Sequence, residues 1–132
     1  MSYSIILITD DSNDIFEYLL NKKEDVDFSS EKENVIHYSN DLQDNFVTLF
    51  RINSEDYSKK EINHIKKFIA KPSFYLLDTN VFNEAIKVIR LFKEDIPILI
   101  DNDNGAFISK DAFFKLKTFD DFFNYKETEK LS

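Results

Sequence analysis

Five aspartates stand where apolar runs of this chain end. Tyr3 to Thr9 runs into Asp10 and Asp11, Phe74 to Leu77 into Asp78, and Ile96 to Ile100 into Asp101, with Asp103 two residues on. Asp41 and Asp44 form a second acidic pair between two further apolar stretches. Carboxylates gathered in one place have three chemical uses. They hold a divalent cation, they move protons, or they present an anionic face to a basic partner. Beside these stands a plain structural use: Asp and Asn cap helices and fit strand-to-helix turns.

Other residues narrow the chemistry. Asp101-x-Asp103-x-Gly105 resembles the start of a calcium loop, but the Gly comes one residue early. Ala112 sits where a closing Glu is required, so the segment reads as a tight turn. His37 and His64 are the only histidines and fall on separate elements. Neither has the carboxylate and nucleophile spacing of a hydrolytic triad. The single Gly excludes the Gly-rich phosphate loops of nucleotide enzymes. No Cys is present, which excludes a disulfide framework and a thiolate zinc site. We therefore assign no catalytic residue, no metal ligand and no cofactor.

The whole composition points the same way. At 132 residues the chain fits one domain with a real core, and 14 Phe argue for a packed interior. A formal net charge of -8 repels nucleic acid and anionic lipid and attracts basic partners. The apolar run Ile5 to Ile8 is too short for a signal-peptide core or a membrane span, so a cytoplasmic location is expected.

Strands are expected at Tyr3–Thr9, Val35–Tyr38, Phe46–Ile52, Phe74–Leu77, Ile96–Ile100 and Ala106–Ile108. Helices are expected after a Ser12 or Asn13 cap, over Ser54–Ala70, over about Val81–Lys93, and after Ser109 or Asp111. Residues 21–34 read as a surface loop, with Val26 and Phe28 as tethers. Phe119, Phe122 and Phe123 read as closing over the core, and the tail from about 126 as frayed. Helices alternating with strands predict an α/β fold, a single domain over 1–132. Its sheet is expected to be mostly parallel, of about four to five strands flanked by helices, with a C-terminal β-hairpin and short helix. In a parallel sheet the aspartates after the strands share one edge, the usual place of function.

Three resemblances meet at these residues. Ile5-Ile6-Leu7-Ile8-Thr9-Asp10-Asp11-Ser12, Leu76-Leu77-Asp78 and Ile96-Pro97-Ile98-Leu99-Ile100 resemble strands of response-regulator receiver domains. That implies a phospho-switch, or a magnesium-dependent enzyme, at Asp10, Asp11 and Asp78. The stretch from Asp11 to Asp78 is longer than that family has, and Asp101 stands where it carries Thr or Ser. Tyr75-Leu76-Leu77-Asp78-Thr79-Asn80-Val81-Phe82 is similar to the opening motif of PIN-domain nucleases, here too near the end of the chain for that fold. Ile98-Leu99-Ile100-Asp101-Asn102-Asp103-Asn104-Gly105, with Phe107 and Asp111-Ala112-Phe113-Phe114, resembles small immunity proteins of bacterial polymorphic toxin and contact-dependent inhibition systems.

The last resemblance implies a protein, monomeric when free, that neutralises a cognate toxin one-to-one, the toxin often being a nuclease. The expectation is thus a toxin-binding protein that is not an enzyme and binds neither nucleic acid nor membrane. Asp10, Asp11, Asp78, Asp101 and Asp103 would meet the toxin, with Asp41 and Asp44 as a second patch.

Overall fold

The computed structural model describes residues 2–12, 14–22, 27–40, 44–92 and 96–126. The strands are β1 (Tyr3–Asp10), β2 (Ser29–Lys32), β3 (Val35–Asn40), β4 (Asn45–Ile52), β5 (Pro72–Thr79), β6 (Ile98–Asp101) and β7 (Phe107–Ser109). The helices are α1 (Ile15–Leu20), α2 (Lys59–Lys66), α3 (Phe82–Arg90), α4 (Lys110–Phe114) and α5 (Phe119–Phe123). The seven strands form one sheet in the order β2-β3-β4-β5-β1-β6-β7.

Every neighbouring pair in that sheet is antiparallel, which overturns the expected mostly parallel sheet of four to five strands. The physical reason lies in the connections. The chain leaves β4 and re-enters β5 at the same end, with Ile52 opposite Phe74, so α2 returns it without crossing the sheet. Two helical connections, β1-α1-β2 and β5-α3-β6, do join strands that run the same way, but other strands lie between them, three in the first case and β1 in the second.

Antiparallel pairing sorts side chains onto two faces by parity. One face carries Ile5 and Leu7 of β1, Leu49 of β4, Tyr75 and Leu77 of β5, Ile100 of β6 and Ile108 of β7. Helices α1, α3, α4 and α5 cover it. Phe82 packs against Phe113 and Phe119 with ring centroids 5.2 and 5.1 Å apart, and Phe113 meets Phe122 at 5.6 Å. Phe28 is fully buried beside this core, next to the unexpected edge strand β2. That strand, Ser-Ser-Glu-Lys, is polar and bulged, and so carries no apolar signal.

The second face carries Ile8, Phe74 and Leu99, covered by α2 and the residues on either side of it, through Tyr57, Ile62, Ile65, Phe68 and Ile69. Helix α2 is held by a capping box in which Ser58 and Glu61 exchange bonds. Residues 54–57, expected as helix, instead form a turn closed by Tyr57 N–H donating to the Ser54 carbonyl at 3.0 Å.

Asp14, not Ser12, caps α1, its carboxylate accepting from Phe16 and Glu17 N–H. Ser109 caps α4 and Thr118 caps α5. Asn102 is buried and uses its whole amide. It donates to the Phe122 and Tyr125 carbonyls at 2.9 and 3.0 Å and accepts from Asn104 and Ala106 N–H at 2.9 and 3.1 Å. It thus ties the β6–β7 turn to α5. Gly105, at φ 97°, supplies the left-handed residue that this turn needs.

Candidate functional site

The register fixes where each acidic residue goes. Asp78 lies opposite Ser4, near the start of β1, while Asp10 lies opposite Pro72 at its end. Six residue steps along β1 separate those positions, roughly 20 Å. The expected meeting of Asp10, Asp11 and Asp78 does not occur. Asp10 instead accepts from Ser12 N–H at 2.9 Å, and these hydrogen bonds from Ser12 hold its carboxyl below the ordinary range. Asp11 N–H donates to the Lys71 carbonyl at 2.8 Å, so this pair belongs to a surface turn.

Asp78, Asp101, Asp103 and Asp44 share the other edge of the sheet. Asp44 is exposed at φ 54°, and its carbonyl accepts from Asn80 Nδ2 at 2.6 Å. Asp41 lies outside the described residues.

Beyond the part covered by α2, the second sheet face is open, and three rows of opposed residues cross it. Ile52, Phe74, Ile8 and Leu99 make the row beneath α2. Next to it runs an apolar row, Val35, Phe50, Leu76 and Ile6, which continues into Asp101 and Phe107. A polar row follows: Ser29, His37, Thr48, Asp78 and Ser4. Val35, at the far end of the apolar row, is buried; Ile6 is half-buried and packs in part against the cluster beneath α2, while Phe50 and Leu76 are half-buried and, among the described residues, belong to neither core cluster.

An open cleft of about 620 Å³ closes the Asp101 end of the apolar row. Ile6, Ile52 and Phe107 form its apolar lining, and Asp56, Glu61, Asp101 and Asp103 its carboxylates; among the described residues no Lys or Arg lines it. Asp56, Glu61 and Asp103 are exposed, while Asp101 is buried. Asp101 accepts from Tyr57 Oη at 2.5 Å and from Asp103 N–H at 2.8 Å. Burial pushes the Asp101 carboxyl above the ordinary range, and nearby Asp103 and Glu61 push the same way, against the two hydrogen bonds. Burial, then the bond to Asp101, raises the Tyr57 hydroxyl. Tyr57 therefore stays a neutral donor and fixes one Asp101 oxygen.

Chemistry at these groups is limited by geometry. Among the described residues no cluster of three His, Asp or Glu side chains is placed to hold a metal ion. His37 Nδ1 lies 2.7 Å from Thr48 Oγ1, but Asp78 is next to Thr48 and two strands from His37. A carboxylate so placed does not orient the imidazole, as a hydrolytic triad requires. His64 packs edge-on against Phe68 and tilted against Phe107, and so serves the packing of α2. The arrangement is an apolar strip that ends in a group of carboxylates.

Asp101 and Asp103 are legible from sequence as turn carboxylates. Asp56, Tyr57 and Glu61 are not, because a loop and a helix cap bring them beside a turn more than forty residues away in the chain. No family model matches the chain, and neither a curated protein nor a solved structure matches it.

Proposed function

We propose that this chain is a binding protein that neutralises a basic partner protein, in the manner of the immunity proteins its C-terminal stretch resembles. The observation that carries this reading is the open half of the second sheet face. An apolar row runs across four strands and ends in four carboxylates with no cation among the lining residues. Apolar surface at the centre of a contact supplies binding energy, and unpaired charge at its rim speeds and orients the encounter. A net charge of -8 extends that steering over the whole molecule. The ion pairs among the described residues, Arg51–Asp14 and Lys87–Glu84, do not involve these carboxylates; Asp56 and Asp103 are exposed, while Asp101 and Glu61 also accept hydrogen bonds within the chain.

The mechanism is occlusion. The partner's basic surface, such as the substrate channel of a nuclease toxin, meets the acidic cleft in place of phosphates. The expected contact residues are Asp56, Glu61, Asp101, Asp103 and Asp78. Asp10 and Asp11 lie at the end of β1, beyond the row beneath α2.

The test is co-expression with the product of the adjacent gene. Expected are a one-to-one complex, loss of that product's toxicity, and an association rate that falls with salt. A non-toxic neighbour that forms no complex contradicts the reading. So does neutralisation that survives Asp56→Asn, Glu61→Gln and Asp103→Asn combined.

A further inference from the structure

We infer that the element received by the open row is a basic amphipathic helix of the partner, lying beside α2 and completing the helical layer that α2 begins. This rests on the reading of the open face as a docking surface and specifies what docks there.

The first reason is hydrogen bonding. Val35, Phe50, Leu76 and Ile6 belong to strands whose backbone groups are already paired within the sheet on both sides. A segment laid on them finds no backbone partner below it. It must satisfy its own N–H and C=O groups, and a helix does so. An added strand would need a free edge.

The second reason is precedent within the molecule. On the adjacent row, Ile8, Phe74 and Leu99 are covered by the apolar stripe of α2. The open row repeats that surface one step along the strands. From β3 to β6 it crosses four strand spacings, roughly 19 Å, the length of a helix of about 13 residues.

The third reason is charge. Asp56, Glu61, Asp101 and Asp103 gather at one end of the row, and Asp78 flanks it in the polar row. An occupant needs cationic residues on its rim. A second copy of this chain, at net charge -8, would oppose acid to acid.

The experiment uses three synthetic peptides on the full-length protein, followed by amide NMR shifts. The first carries Leu at helical spacing and Lys or Arg elsewhere. The second has the same composition with the Leu stripe scrambled. The third is the first with a central Pro. Expected are shifts along Val35, Phe50, Leu76 and Ile6, and affinity at least tenfold higher for the first peptide. Leu76→Asp and Phe50→Ser should each remove that preference in a protein whose remaining spectrum is unchanged. Equal binding of all three peptides at the acidic cleft overturns the helix inference while leaving the docking reading intact. Shifts unaffected by Asp56→Asn with Asp103→Asn overturn both. A homodimer formed through the same row overturns the inference as well.

Discussion

The two faces of this sheet receive side chains from the same strands and use them differently. On one face four helices and a cluster of Phe rings leave no apolar side chain of the strand centres uncovered. On the other, one short helix covers a single row and the next row is open. Both faces present apolar residues, so composition alone does not separate them. Coverage does. The first face holds the fold together, and the second has surface to spare for a partner. Polar groups differ in the same sense. Asn102, behind the covered face, has every amide bond made within the chain, whereas Asp56 and Asp103 on the open side take part in no ion pair among the described residues.

The largest effect is expected on the covered face. Phe113→Ala removes a fully buried ring from the Phe cluster and should cost about 3–5 kcal/mol in denaturant unfolding. Asn102→Ala should cost about 2–4 kcal/mol, because buried carbonyls and N–H groups lose their partners together. Leu76→Ala, on the open row, should cost only about 1–2 kcal/mol, since the side chain is half-buried and leaves no closed cavity. If Leu76→Ala proves as costly as Phe113→Ala, the contrast between the faces collapses.

The smallest effect is in pH dependence. The Asp101 carboxyl is raised in the folded state, so the folded chain holds that proton more tightly than the unfolded chain does. Its contribution favours folding below the unfolded value and is lost as pH rises through the folded one. Asp101→Asn removes this dependence. The variant should be at least as stable as the parent near pH 7, and its relative advantage should shrink on acidification toward about pH 4. Chemical unfolding of both proteins at the two pH values checks the sign.

Much of the fold is legible in the sequence where the signal is local. The runs around β1, β4, β5 and β6, the turn at Gly105 and the apolar stripe of α3 are read from periodicity and turn chemistry. Strand direction is not, because it is set by pairings such as Ser4 with Asp78 and Ile6 with Asp101, across most of the chain. A helix between two strands reads as a crossover to a parallel neighbour, but α2 returns the chain to the end it left, and α1 and α3 lead to strands that are not neighbours of those they follow. The site follows the same division. Asp101 and Asp103 are visible as turn residues. The apolar row exists only once four strands are in register, and Tyr57 reaches Asp101 only through the turn before α2.

One measurement bears most directly on the docking face. The affinity of this protein for its basic partner is determined across a salt series for two multiple variants. One is Asp56→Asn, Glu61→Gln and Asp103→Asn; the other is Asp10→Asn and Asp11→Asn. Each multiple variant lowers the acidity of the chain, the first at the cleft and the second at the end of β1, where Asp10 lies opposite Pro72. The account predicts at least a thirtyfold loss and a flattened salt dependence for the first, about 2 kcal/mol of lost interaction, and an unchanged affinity for the second. Equal losses for both, or a loss confined to Asp10 and Asp11, would contradict it.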